Sequence, residues 1–157
     1  MNKTKIIFFL ISCMFIYSCG YKIVDKRKLQ SFDIAQINTT GEKRINFKLK
    51  NKLLSNKKEG SADLIILDLN SKKIKTVKDK NIKNEITKYQ IDLEILISFK
   101  KMNENKINSF LVKETGTYDT SSQHSQTLNN GKKLIDLLVS DISEEIIDQL
   151  IIKLNDL

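Results

Sequence analysis

Cys19 is the residue whose surroundings point most directly to a chemical modification. It follows a short hydrophobic N-terminal stretch and is followed at once by Gly20. The stretch begins with Lys3 and Lys5, continues with an apolar run over residues 6–17, and ends with a serine before the cysteine. This is the layout of a signal peptide. The run is too short for a membrane span, which needs about 20 residues. A cysteine just after a small residue predicts a lipoprotein signal, with the Cys19 sulfur as the acylated atom.

Two alternatives to this interpretation stay open. Cys13 also follows a lipobox-like sequence, but its use would leave an apolar core of only residues 6–12, at the lower limit of a signal peptide. An ordinary signal peptide with an incidental cysteine is the other alternative, because Tyr17 is bulkier than a lipobox usually has at that position. With Cys19 as the site, residues 1–18 are the signal peptide, and the mature chain has no free thiol and can form no disulfide.

Few other residues have the types and spacing that catalysis or metal binding needs. His124 is the single histidine and the predicted mature chain has no free cysteine, so neither a typical zinc site nor a Cys/His dyad can form, and we expect no metal and no cofactor. Asp92 and Glu94 share one face of a predicted strand, but such carboxylate pairs more often belong to a solvated surface. No G-x-S-x-G motif or phosphate-binding glycine loop occurs. The sequence therefore predicts a protein that is not an enzyme.

A cluster of lysines is the remaining candidate for a binding site. Clustered ammonium groups can hold phosphates as point charges, and the net charge of the chain is +8. Much of this charge reflects a composition rich in Lys, Ile and Asn, which is typical of AT-rich codons. Because the chain is predicted to be exported, we expect anionic lipid headgroups or glycolipid phosphates as ligands and no nucleic acid. The predicted anionic-ligand patch consists of Lys72, Lys73, Lys75, Lys78 and Lys80.

The strands and helices that must position these residues begin after a charged segment at the start of the predicted mature chain. Residues 19–31 are predicted to be a tether, and residues 32–157 a single α/β sandwich domain. Alternation predicts a short first strand, with Phe32, Ile34 and Gln36 on one face and Ile37 on the other. From residue 42, apolar residues at every fourth position predict an amphipathic helix, with Thr40 as its N-cap.

Three further strands are predicted before the last helix. Residues 62–70 are a nearly continuous apolar run, which indicates a well-covered strand, and the lysines that follow either extend it or form an exposed ribbon. Residues 86–101 are the clearest predicted strand, because every second residue from Tyr89 to Phe99 is apolar, as in a half-buried strand. After a turn, residues 107–118 return as the antiparallel partner.

The last predicted element is a long amphipathic helix. Its apolar residues recur every four positions from Leu134 to Leu154, and its start lies anywhere between Ser122 and Asn130. The order strand, helix, strand, strand, strand, helix predicts an α+β fold: a two-layer sandwich with two helices on one face of a four-stranded mixed, mostly antiparallel sheet. The first two strands are the pair expected to be parallel.

These features together resemble the LPS-assembly lipoprotein LptE family. The resemblance covers essentially the whole mature chain and rests on four segments in order: CGY, FDIAQINTTGEKRINFKLKNKLL, ITKYQIDLEILISF, and GTYDTSSQHSQT leading into the terminal helix. It implies a lipoprotein on the periplasmic face of the outer membrane that plugs and supports the LptD β-barrel in lipopolysaccharide assembly. Of the family's functional positions only the acylated Cys19 is carried over. Gly20, which is not an aspartate, agrees with sorting to the outer membrane.

The partners implied by the resemblance are an LptD-like β-barrel, lipopolysaccharide and the membrane that holds the lipid anchor. One alternative is an accessory lipoprotein of another envelope machine, either a transporter auxiliary subunit or an activator of a cell-wall synthase. A periplasmic hydrolase is a more remote alternative, for which His124 would be the general base.

Overall fold

The computed structural model describes residues 32–55 and 63–155 of the 157-residue chain. The predicted signal peptide, Cys19 and the tether of residues 19–31 lie outside the described residues. Within them, the elements follow in the predicted order: β1 Phe32–Gly41, α1 Lys43–Ser55, β2 Asp63–Lys80, β3 Ile86–Lys101, β4 Asn108–Asp119 and α2 His124–Asn155.

The four strands form one mixed sheet in the order β1-β2-β3-β4. β1 is parallel to β2, whereas β2–β3 and β3–β4 are antiparallel. One face of the sheet packs against both helices, which confirms the predicted α+β sandwich. The lysine-rich continuation belongs to β2, so the prediction that it extends the strand is confirmed.

The hydrophobic core lies between the sheet and the helices. Strict alternation places every second residue of β3 on the inner face, and the four-residue spacing of α2 gives that helix one apolar side. Burying a side chain of this size stabilises the fold by about 1.5–3 kcal/mol. The centre of the core consists of Leu49, Leu53, Ile65, Leu67, Leu93, Ile95, Ile97, Ile142, Ile146 and Leu150.

The two helices run in the same direction. Lys48 forms an ion pair with Asp136, and four residues later the Lys52 Nζ donates to the Ser140 Oγ at 2.9 Å. Because both partners advance by four residues, α1 and α2 are parallel neighbours on the sheet.

The start of α2 at His124 falls inside the predicted interval. The helix continues through Gly131, which is buried against the Tyr118 ring, so close that a Cβ at residue 131 would stand 3.1 Å from the Tyr118 Cζ. Tyr118 in turn stacks on Tyr89, with ring centroids 5.5 Å apart. Packing against Tyr118 favours a continuous helix at Gly131, where the low helix propensity of glycine would otherwise weaken it.

Two local predictions for β1 and α1 are wrong. The pairing of β1 with β2 shifts between Ile34 and Gln36, and this irregularity turns Ile37 to the buried face and leaves Gln36 exposed. Thr40 is not the N-cap, because it still belongs to β1 and α1 begins at Lys43.

The sheet has two distinct ends. At the proximal end, Phe32 pairs with Asp63, and Lys101 pairs with Ile65. At the distal end, a turn over residues 81–85 joins β2 to β3. The 18 residues of β2 separate these ends by about 56 Å at 3.3 Å per residue. Neither helix of the described chain has the length and apolar character of a membrane span.

Candidate functional site

The predicted lysine patch lies on the part of β2 that extends past β1, and its side chains are divided between the two faces of the sheet. On the inner face, the Lys73 Nζ lies 3.8 Å from a Glu42 carboxylate oxygen. The Lys75 Nζ lies 3.7 Å from the centroid of the Tyr89 ring, a cation–π contact. These two ammonium groups therefore have partners within the protein.

The other lysines of the patch are also spread apart. Lys72 pairs with Glu94 in the β2–β3 register, and the Lys80 Nζ donates to the Asn84 Oδ1 at 2.9 Å. Among the described residues, the Lys78 ammonium group has neither an ion-pair nor a hydrogen-bond partner. The five charges do not converge on one point, and an anionic ligand at this patch stays a prediction.

The candidate catalytic residues of the sequence are not brought together. His124 is the exposed first residue of α2, whereas Asp92 and Glu94 lie on β3. The Asp92 Oδ1 accepts hydrogen bonds from Gln90 and Thr115, both at 2.8 Å. In the described part of the chain, no group of three or more His, Cys, Asp or Glu side chains has an arrangement that could hold a metal ion.

The outer face of the sheet is a more extended candidate surface, because neither helix of the described chain covers it. Leu96 and Leu111 pair directly across β3 and β4 at its centre, although they are 44% and 51% exposed. Scattered exposed leucines are ordinary, but a cross-strand pair on an uncovered sheet is a contiguous apolar patch. We call this surface the open face: Asn38, Leu64, Ile66, Asp68, Asn70, Glu94, Leu96, Ser98, Leu111 and Lys113.

A chain of polar side chains borders the apolar pair on the β1 side. The Gln36 Nε2 donates to the Asn38 Oδ1, and the Asn38 Nδ2 donates to the Asp68 Oδ1, both at 2.8 Å. Beside them lies an open groove of about 300 Å³ that includes Leu96 and Ser98 in its lining. The groove therefore combines hydrogen-bonding groups that are already oriented with an apolar wall.

An ion pair borders the apolar pair on the β4 side. The Lys113 Nζ lies 2.7 Å from the Glu94 Oε1. This hydrogen bond, together with the positive charge of Lys113, lowers the pKa of Glu94 from its ordinary value of 4.5. Glu94 is therefore a carboxylate at neutral pH, and the open face has an apolar centre between two polar borders.

A second groove lies at the junction of β1 and α1, outside the open face. It has a volume of about 560 Å³, and its lining includes Lys43, Lys50 and the exposed Phe47. Asn46 lies at its base, where the Nδ2 donates to the Thr40 carbonyl oxygen at 2.9 Å. The Asn46 Oδ1 is the single buried side-chain polar atom without a hydrogen-bond partner in the described residues.

Sequence analysis did not identify the residues of either groove. The signal for Asn46 was present, because it is seven residues before the buried Leu53 and so belongs to the same side of α1. No comparable signal marks Asn38 and Asp68. They are 30 residues apart in the chain and meet only through the parallel pairing of β1 with β2.

No protein family profile and no curated protein matches this chain. Its fold is similar to that of a candidate lipoprotein from Caulobacter crescentus CB15, with a TM-score of 0.59, 13% identity, and coverage of 83% of this chain and 95% of that one. It is also similar to an uncharacterized lipoprotein B from Nitrosomonas europaea, with a TM-score of 0.56, 11% identity, and coverage of 84% and 90%. Rare lipoprotein B from Shewanella oneidensis gives a TM-score of 0.48 at 11% identity, covering 77% and 94%.

At these identities the first two similarities establish a shared fold. They cover both layers of the sandwich, since the shared part includes more than four-fifths of this chain. Function does not follow from a fold alone, so it must be argued from particular residues.

Proposed function

We propose that this chain is a lipoprotein on the periplasmic face of the outer membrane that supports an LptD-like β-barrel in lipopolysaccharide assembly. The observation that carries the proposal is the combination of a lipobox-type Cys19 with a sandwich fold shared with two proteins described as lipoproteins. The LptE-like order of segments along the sequence supports the same function. The proposed role is binding, without catalytic turnover.

The open face is the surface that we assign to the barrel. Non-obligate interfaces have an apolar centre surrounded by polar groups that remain hydrated until the partner binds. Leu96 and Leu111 supply such a centre, and the Asn38–Asp68 and Lys113–Glu94 contacts supply polar groups on two sides. Lipopolysaccharide is the second proposed partner, through its phosphates.

The lipid anchor is tested by replacing each cysteine separately. We expect Cys19→Ala to abolish acylation, detected by mass spectrometry, and to release the protein from the membrane fraction. Cys13→Ala is the matched control and leaves both unchanged, since residue 13 is removed with the signal peptide. Acylation that persists in Cys19→Ala and disappears in Cys13→Ala would place the anchor at the other cysteine.

The barrel partner is tested by purification of the tagged protein from detergent-solubilised outer membranes. We expect a large, heat-modifiable β-barrel to co-purify. The double variant Leu96→Asp/Leu111→Asp should reduce its yield about tenfold or more, as loss of an interface centre does. Leu137→Asp, on the exposed side of α2, is the matched control and should not reduce it.

Other results would assign the chain to another machine. Co-purification of an inner-membrane transporter or a cell-wall synthase in place of a barrel would contradict the proposal. A hydrolytic activity that is lost in a folded His124→Ala variant would favour the enzyme alternative instead.

A further inference from the structure

We propose that the proximal end of the sandwich docks on the surface of an anionic lipid bilayer through the turn at residues 102–107. The inference rests on the lipid anchor of the proposed function but is independent of the barrel partner. It assigns a second membrane contact to the folded domain itself.

The position of this turn follows from the pairing of the strands. The chain enters the described domain at Phe32, which pairs with Asp63, and the Met102 N–H donates to the neighbouring Leu64 carbonyl oxygen at 2.7 Å. The turn therefore lies at the end of the sheet where the segment from Cys19 arrives. Cys19 and Phe32 are 13 residues apart, a distance of at most about 47 Å in a fully extended chain, so an acyl chain on Cys19 holds this end within that distance of the bilayer.

The proximal end exposes apolar side chains of the kind that a contact with a membrane surface needs. Met102 is 57% exposed and Ile107 66% exposed, and they occupy the two ends of the same turn. Leu64 is also exposed and lies beside Met102. Apolar groups of this kind enter the boundary between headgroups and acyl chains when a protein lies on a membrane.

The charges of the turn suit an anionic surface. Lys106 is exposed, and Lys100 precedes the turn on the outer face of β3. Asp63 and Glu104, two carboxylates at this end, lie 3.4 Å and 3.9 Å from the Lys101 Nζ, so their repulsion of a negative surface is reduced. A lysine near an anionic surface increases binding about fivefold.

The distal end offers an internal control of similar composition. Ile82 is fully exposed there, between Lys80 and Lys83. Its turn is well ordered by the Asn81 Oδ1, which accepts hydrogen bonds from the backbone N–H groups of Lys83 and Glu85, both at 2.9 Å. An exposed apolar residue flanked by lysines therefore occurs at both ends, and only the proximal one is placed beside the tether.

Tryptophan fluorescence tests the proposal, because the chain contains no tryptophan. The acylated full-length mature protein is reconstituted on vesicles of phosphatidylethanolamine and phosphatidylglycerol that include brominated lipids. Met102→Trp and Ile107→Trp are compared with Ile82→Trp as the matched control, and circular dichroism establishes that each variant is folded. We expect blue-shifted emission and quenching for the first two variants and neither effect for the third.

The same system tests the charges and separates the two proposals. In the Ile107→Trp variant, the second substitution Lys106→Glu should lower the ratio of docked to undocked protein about fivefold or more. Vesicles made of phosphatidylcholine alone, which carry no net charge, should lower this ratio further. Equal quenching at both ends, or none at residues 102 and 107 while the protein floats with the vesicles, would overturn the docking proposal alone. Protein that does not float with the vesicles would overturn the lipid anchor, and the docking proposal with it.

Discussion

Gly41 lies so close to Ser71 that a Cβ at residue 41 would stand 2.0 Å from the Ser71 carbonyl oxygen. Gly41 also has a φ of +91°, which side chains rarely adopt. The next residue, Glu42, donates its N–H to both the carbonyl oxygen and the Oγ of Ser71, at 3.2 Å and 3.0 Å. The chain therefore leaves β1 and enters α1 through a contact that excludes a side chain.

We expect Gly41→Ala to lower the free energy of unfolding by about 3 kcal/mol or more, from backbone strain and the clash together. Urea denaturation followed by circular dichroism measures the change. Gly131→Ala is the control, because there the gain in helix propensity offsets a milder contact with Tyr118, and the net change should stay within about 1 kcal/mol. Equal effects of the two substitutions would contradict this explanation.

The contact of Lys75 with Tyr89 should contribute measurably to the stability of the distal half of the sheet. We expect a double-mutant cycle of Lys75→Met and Tyr89→Leu to give a coupling energy of about 0.5–1 kcal/mol, as exposed cation–π pairs do. The matched cycle with Lys78→Met, which alters a neighbouring lysine, should give no coupling. A coupling of the same size for Lys78 would show a general effect of charge.

The Glu94–Lys113 pair predicts a pH dependence of stability. Because the pKa of Glu94 is lowered in the folded protein, the pair stabilises the fold above the ordinary carboxyl pKa of 4.5. That contribution is lost as the pH falls below 4.5 through the folded pKa. Carbon-13 NMR of the Glu94 carboxyl should show a midpoint below 4.5, and Lys113→Gln should move it upward, whereas Lys106→Gln should leave it in place. An unchanged midpoint in Lys113→Gln would remove Lys113 as the cause.

The order and type of the elements were predictable because each has its own period. In β3 every second residue from Tyr89 to Phe99 is apolar, whereas α2 repeats an apolar residue at every fourth position. The strand pattern therefore does not fit a helix, and the helix pattern does not fit a strand. One layer of helices on one face of a sheet is then the economical way to bury both patterns.

The errors arose where a distant residue decides the local structure. The irregularity after Ile34 depends on pairing with β2, and a period-two pattern cannot show an extra residue. Likewise, the Glu42 N–H at the start of α1 has its acceptors on Ser71, 29 residues away, so the local sequence, which favours Thr40 as the N-cap, does not show how this helix begins.

The candidate surface was even less accessible to sequence analysis. The open face joins residues of four strands, and its apolar pair of Leu96 and Leu111 is defined only by the β3–β4 register. The lysine cluster was visible as a run of charges, but alternation along β2 sends Lys72 and Lys73 to opposite faces. A charge run in a sequence therefore did not become a charge cluster in space.

Asn46 provides the last prediction, because its two amide atoms have different environments. The Nδ2 is bonded to Thr40, whereas the buried Oδ1 has no partner in the described residues. We expect Asn46→Ala to lower the free energy of unfolding by about 1 kcal/mol, since the lost hydrogen bond is partly offset by removal of the unpartnered oxygen. Urea denaturation at neutral pH measures this change.

Asn46→Asp is the matched variant, because it keeps the shape of the side chain but places a carboxylate in the same buried position. We expect it to cost about 3 kcal/mol at neutral pH, where the charged form is desolvated and can no longer donate to Thr40. Because burial disfavours the charged form of a carboxyl, we expect the loss to diminish as the pH falls and the group becomes protonated. If instead Asn46→Asp were as stable as Asn46→Ala at every pH, residue 46 would be hydrated, and the groove at the β1–α1 junction would be open to water at its base.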